Sequence, residues 1–517
     1  MGVPGIVAAM ERSVLLDGSS LAPRDVAAIA RGGASAAIAP RARERMEAAA
    51  AVVQHAAQAG TPVYGLTTGL GSRVVEPVAG TAGAEFSLRT LRGRAMAVGE
   101  PLPAELTRAA MAVRCNGLCA GGAGASVAIA EGLVDLLNAH VHPCVPRTGS
   151  IGASDLCMLA HVGLTLIGEG EAELHGVRMS SADALNRAGL AAVTLGPKDG
   201  LAICSSSAVS AGAAALALLD AGACLDTLQV AAALSMEGFR ANLSPLDPRV
   251  VAARPAPGQA WAAAGLRALL AGGALTEPGA ARRLQDPISL RCASQINGSL
   301  RAALEMLESA LVPELGGAAD NPVVLVDDDE ILSTGNFHAP ALALALDAAA
   351  LGLAQVAAAS AERQARLKTE RLSGLPSGLS LLGVTSTGLL PLNKTAQALM
   401  VEIRHLAAPV SIMPAVGGDA VEDDATGAAQ AALRLREQLE RTWLVAAIEL
   451  VVAAQAVELA APASLGRGTA AALSVVREYV EVLGEDRPVG PDVERLAAGA
   501  LAGGELLARV RGAMSAS

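Results

Sequence analysis

Residues 442–464 read Thr-Trp-Leu-Val-Ala-Ala-Ile-Glu-Leu-Val-Val-Ala-Ala-Gln-Ala-Val-Glu-Leu-Ala-Ala-Pro-Ala-Ser. Ala, Leu and Val dominate, and no glycine or proline interrupts the run before Pro462, so it favours one long helix. Its length and apolarity suffice to cross a bilayer, but Glu449, Gln455 and Glu458 lie inside it, and carboxylates are costly at membrane depth. The run is therefore expected to be a buried bundle helix. Residues 339–361, which contain Asp347 and Gln355, read the same way.

Further apolar runs lie at 205–235, 299–310, 339–372, 393–407 and 425–461. The loops between them, at 244–259, 312–322, 374–391 and 412–424, are rich in Pro, Gly and Ser. This pattern predicts an all-α, mainly helical fold built on a long central bundle. Residues 1–60 add a small α/β-like region: a strand-like Ser13-Val14-Leu15-Leu16, a capped segment from Ser20, and a helix from about 40 to 59. Helices are expected near 84–98, 103–119 and 123–140, and a polar hairpin near 170–180. The expected division is residues 1–200, an N-terminal region holding the reactive-looking loops, and 201–517, the central and C-terminal bundle.

Composition narrows the function. A chain of 517 residues with 52% hydrophobic content buries a sizeable core, and 1% aromatic residues favours close-packed Ala/Leu helices over sheets. The formal charge of −11, without a basic cluster, argues against nucleic acid or an anionic membrane and for a small-molecule substrate. Seven cysteines without paired CxxC spacing read as reduced core residues. Charged residues by position 12 and the lack of a signal-type apolar stretch make the cytoplasm the expected location.

The chemistry centres on residues 149–161, Gly-Ser-Ile-Gly-Ala-Ser-Asp-Leu-Cys-Met-Leu-Ala-His. In an Ala-Ser-Gly tripeptide the unhindered glycine amide reaches the alanine carbonyl in a tight bend, and dehydration leaves an electrophilic methylidene-imidazolone. Here Asp155 follows Ala153-Ser154, so the attacking nitrogen would carry a side chain.

Other stretches carry groups suited to catalysis or binding. Val63-Tyr64-Gly65-Leu66-Thr67-Thr68-Gly69-Leu70-Gly71 is a glycine-rich loop with one phenol; it suits either a segment that closes over substrate or an ordinary surface turn. Gln285-Asp286-Pro287-Ile288-Ser289-Leu290-Arg291-Cys292 offers Arg291, whose planar guanidinium matches a carboxylate with two parallel hydrogen bonds or serves in a salt bridge. Ala319-Asp320-Asn321-Pro322 and Gly335-Asn336-Phe337-His338 supply the Asn321 amide, alternatively a plain turn residue. Leu392-Asn393-Lys394-Thr395 holds a lysine that is either solvated or able to stabilise charge developing on a substrate ring. Ala420-Val421-Glu422-Asp423-Asp424 is by itself a solvated acidic loop.

Together these motifs resemble the histidine and aromatic amino-acid ammonia-lyase superfamily over about residues 13–460. The resemblance implies a carbon–nitrogen lyase and a helical homotetramer of the ammonia-lyase/fumarase type whose active sites draw on several subunits. It implies Tyr64 as the base that removes the substrate β-proton, Arg291 and Asn321 as carboxylate holders, and Glu422 as the partner of the substrate ring or amine. The fumarase branch itself is disfavoured, because its Gly-Ser-x-x-Met-Pro-x-Lys-x-Asn loop is missing from the sequence.

Departures from the family pattern fall around one site. The glycine after Ala153-Ser154 is deleted, the family's supporting asparagine is Ser205, its Ser-His pair is Gly93-Arg94, and its pocket tyrosine is Ile288. Read through the resemblance, they imply β-elimination from a histidine-derived amino acid without the self-formed prosthetic group, hence no cofactor and no metal. That description matches the ergothionase branch, which releases trimethylamine from ergothioneine to give thiolurocanate. Lys394, with Arg73 or Arg94, would then stabilise the charged ring, and Ser205 and Ile288 would line the pocket. Two alternatives stand beside it: a histidine or aromatic amino-acid ammonia-lyase in which Ala153-Ser154-Asp155 still cyclises, and a catalytically silent paralogue.

Overall fold

The computed structural model describes residues 13–79, 82–412 and 421–515, so the charged N-terminal residues and Ala420 of the acidic stretch lie outside the described part. Helix accounts for 62% of residues and strand for 8%, which makes the fold mainly helical as expected. Two compact units are distinguishable: Met1–Leu219 with Glu308–Leu346 and Pro409–Leu433, and Asp220–Leu307 with Asp347–Ala408 and Arg434–Ser517.

The first unit opens with strand Ser13–Leu16 running parallel to Ser35–Ile38, Ser13 opposite Ser35, with helix Pro23–Ala30 between them. This is the small α/β-like region. The cap expected at Ser20 is not formed: the Ser20 amide donates to Asp17 Oδ1 at 2.8 Å, and the helix begins at Pro23, where a missing N–H costs nothing. The helix expected over 84–98 is Gly83–Arg94. It stops because Ala95 leaves the helical region and Val98–Pro101 pairs antiparallel with Pro146–Thr148. Strands Glu171–Leu174 and Val177–Ser180 form the anticipated hairpin; His175 and Gly176 both take left-handed φ, 52° and 77°, as a two-residue type I′ turn requires.

Helices Ala208–Phe239, Pro340–Leu367 and Ala428–Ala460 carry the long apolar runs. Each lies in a helix long and apolar enough to cross a membrane, yet they are packed into the protein: the apolar window of the first is wholly buried. Close approach explains a glycine there, since a Cβ on Gly212 would sit 2.8 Å from the Ala109 carbonyl carbon of helix Ala104–Cys119. In the second unit, Ala357, Met400, Ile403 and Val445 join Pro340–Leu367, Leu392–Leu406 and Ala428–Ala460 in one core cluster.

Candidate active site

The first unit gathers the Ala153-Ser154-Asp155 bend, the Tyr64 loop, the Asn321 turn and the acidic stretch. Gly152 and Ser154 adopt φ of 84° and 62°, and Ala153 bridges to His338. Chain from far downstream docks on the bend: Gly427 N donates to the Ile151 carbonyl at 3.0 Å, Thr426 Oγ1 to the Gly152 carbonyl at 3.0 Å, and Gln430 Nε2 to the Ser150 carbonyl. A Cβ at Gly152 would lie 2.1 Å from Thr426 Oγ1, so this position demands glycine.

Asp155 is fully buried. Its carboxylate accepts from Ser150 Oγ at 2.7 Å, Ser210 N at 2.8 Å and Ser210 Oγ at 3.0 Å. Burial raises its pKa, while those hydrogen bonds oppose the rise. Its own amide donates to the Ser206 carbonyl at 2.8 Å. That amide is the nitrogen that would have to close a methylidene-imidazolone onto Ala153. It bears a substituted Cα and is already committed, so these residues do not fit the self-formed ring, and no step below passes through it.

The Tyr64 phenol accepts a hydrogen bond from Gly71 N at 3.0 Å, which orients the ring. Gly65 has φ 69°, and a Cβ there would meet Leu201 Cδ2 at 2.4 Å, so the loop packs directly on helix Asp199–Cys204. Ser205 follows that helix, and its Oγ accepts from Asn321 N at 3.3 Å, so these two predicted residues come together. The Asn321 amide oxygen is occupied, accepting from Thr334 N at 2.9 Å. Its Nδ2 is thereby the end left to donate to a substrate.

Buried cations hold both neighbours of Asn321. Arg114, 1% exposed, pairs with Asp320 at 2.6 Å and donates to the Ala202 carbonyl. Lys198, 3% exposed, donates to the carbonyls of Ala123 and, at 3.2 Å, Pro322. Burial lowers the Lys198 pKa to about 8 against the pull of Asp320. Sequence reasoning missed both cations, because nothing local marks a lysine or arginine as buried.

It also missed Glu314, at the end of helix Ala293–Gly316, whose carboxyl burial pushes up to about 7, with the charge of Asp155 adding to the effect. His338 Nε2 meets Asp424 Oδ2 at 2.7 Å, tying the Phe337-His338 turn to the acidic stretch. Glu422 is exposed. Arg94 and Glu422 both act on the half-buried Cys157 thiol, which burial raises, Arg94 lowers and Glu422 raises. Arg73 is exposed on the turn Gly71–Arg73.

The other predicted residues belong to the second unit. Arg291 ends the short helix Ile288–Arg291 and donates to Gln285 Oε1 at 2.9 Å. Ile288 is 63% exposed, and Lys394 is exposed in the first turn of Leu392–Leu406.

The family model for aromatic amino acid lyases matches residues 21–478. The chain belongs to that family. Among its lyase relatives, the histidine ammonia-lyase of Symbiobacterium thermophilum is 39% identical over 95% of this chain and 97% of its own length. That of Myxococcus xanthus is 35% identical over 97% and 99%. Among solved structures, ergothionase from Treponema denticola, an ergothioneine-degrading enzyme, matches at TM-score 0.90 and 29% identity, covering 97% of this chain and 99% of its own. Histidine ammonia-lyase from Trypanosoma cruzi matches at 0.89 and 31%, covering 97% and 95%.

These findings overturn the ergothionase expectation. The lyase shape does not select ergothionase, because the Trypanosoma enzyme superposes equally well, and identities of 35–39% along nearly the whole chain lie with histidine ammonia-lyases. The error has a physical source. One deleted glycine and a few pocket substitutions describe how a loop is built, and they leave the leaving group undetermined.

Proposed function

We propose that this carbon–nitrogen lyase is a histidine-type ammonia-lyase, converting histidine or a closely related arylalanine into urocanate or an arylacrylate and ammonia. The observation that carries the reading is the near-full-length similarity to histidine ammonia-lyases, 39% over 95% of the chain. In this reading the Tyr64 phenolate takes the β-proton. The released electron pair forms the Cα–Cβ double bond, and the C–N pair departs with nitrogen, so the substrate ammonium leaves as neutral ammonia. Arg291 and Asn321 are the proposed carboxylate holders, as the resemblance to the family implies, each contributing to shared sites of the assembly rather than to one described pocket. Glu422 and Arg94 receive the ring, and Ser205 steadies the Asn321 backbone. Lys394, Arg73 and Ile288 stand as further proposed substrate contacts, each taken by itself.

The assembly proposed with it is a homotetramer with shared active sites, supported by apolar side chains left exposed on long helices, such as Leu344 (53%), Leu351 (46%) and Val401 (68%). A cytoplasmic location is supported by seven cysteines that are all free. The test is turnover of histidine followed by urocanate absorbance and ammonium release, with Tyr64→Phe lowering kcat by about 10²–10⁴-fold. A purified wild-type protein that releases no ammonium from histidine or any arylalanine refutes the proposal.

A further inference from the structure

The centre of the second unit holds a fully buried ion pair that the reaction does not use directly. Arg363 on Pro340–Leu367 meets Glu449 on Ala428–Ala460 through two parallel hydrogen bonds, Nε to Oε1 at 2.6 Å and Nη2 to Oε2 at 2.9 Å, with both side chains 0% exposed. Ser235 on Ala208–Phe239 donates to Glu449 Oε1 at 2.7 Å. Three long helices are thus joined at one carboxylate. Such a pair is weak evidence for stability, because well-packed apolar residues often replace a buried ion pair at no cost. Its geometry offers another purpose.

The remaining guanidinium nitrogen, Arg363 Nη1, donates at 3.3 Å to the carbonyl of Ser289. Ser289 lies in Ile288–Arg291, a single helical turn too short to hold itself together. Upstream, the same segment is tied by Asn242, whose amide donates to Asp286 Oδ2 at 2.6 Å and whose Nδ2 donates to the Leu284 carbonyl at 2.8 Å. Among the described residues, the bond to Ser289 is a hydrogen bond that ties the turn ending in Arg291 to the bundle core.

We propose that Arg363, clamped by Glu449 and Ser235, is a positioning residue for Arg291: the core of the bundle fixes the turn that presents the carboxylate-binding guanidinium. This rests on the reading of Arg291 as the carboxylate holder. Only a guanidinium gripped on one side by a carboxylate has a further N–H to offer the turn, so apolar replacement would preserve the bundle and release the turn.

The test uses the full-length protein with Arg363→Met and Glu449→Leu combined, and Arg363→Lys as a second variant. Lysine keeps the charge but cannot make the paired contact and reach Ser289 together. Both variants should raise KM for histidine about tenfold with kcat within about twofold, and backbone hydrogen exchange of peptide 285–292 should accelerate while the long helices stay protected. Arg291→Lys should raise KM without changing that exchange. Unchanged exchange at 285–292 in a folded variant overturns the proposal, and so does faster exchange with a wild-type KM. If the wild type turns over no amino acid, the functional reading fails, whereas the exchange result still decides whether Arg363 holds the turn.

Discussion

Replacing Lys198 by methionine separates its two effects. In the wild type its pKa falls from an ordinary 10.5 to about 8 because the ammonium is buried. At about 1.4 kcal/mol per tenfold change, holding the charge in the folded state costs about 3 kcal/mol. Below pH 8 the lysine is protonated whether the chain is folded or not, and the full penalty applies. Between pH 8 and 10.5 the unfolded chain holds a proton that the folded protein has shed, so wild-type stability rises with pH. Methionine abolishes the penalty but leaves the carbonyls of Ala123 and Pro322 without their donor, at about 1–3 kcal/mol each. The two proteins should therefore lie within about 3 kcal/mol of each other at pH 7, and the wild type should gain about 3 kcal/mol on the variant by pH 10.5. Urea unfolding across that range measures the difference. Because Pro322 follows Asn321, KM for histidine should also rise, by about tenfold. Parallel stability curves, or an unchanged KM, would refute the argument.

At Gly65, alanine would combine a left-handed φ of 69° with a Cβ 2.4 Å from Leu201 Cδ2. The Tyr64 loop should lose about 1–3 kcal/mol of local stability, read as faster limited proteolysis between 63 and 73 and a lower kcat/KM. Glu314→Gln should remove an inflection near pH 7 from the kcat/KM profile. The carboxyl of Glu314 is raised to about 7 from an ordinary 4.5, so its contribution to stability is present below 4.5 and lost as pH climbs through 7. The variant should flatten that decline, and identical profiles would show that Glu314 does not titrate there.

Much of the fold was legible because it follows from periodicity. Apolar runs became Ala208–Phe239, Pro340–Leu367 and Ala428–Ala460, and the polar stretch near 170–180 became the hairpin that turns at His175-Gly176. Boundaries were weaker where a long-range partner decided them: Val98 pairs with Thr148, and no local pattern announces that contact. The candidate residues came from motifs, and among them Asn321 N donates to Ser205 Oγ and Gly71 N to the Tyr64 phenol. What supports the motifs was hidden. Arg114 finds Asp320 at a sequence distance of 206, and Arg363 finds Glu449 at 86, and a buried charge looks like a solvated one until its partner is placed. The substrate was less legible for a different reason: one deleted glycine is a local feature, and it says less about the leaving group than similarity along nearly the whole chain.

The bend at Ala153 is braced by the side-chain hydroxyl of Thr426, 274 residues downstream of Gly152. At a synthesis rate of about 5–20 residues per second, the ribosome takes roughly 15–55 s to deliver that contact after the bend itself emerges. A nascent chain can fold its first strands and helices in that interval while the bend stays unbraced. The bend is thus completed late in translation, and a product ending before residue 426 lacks the contacts that hold it.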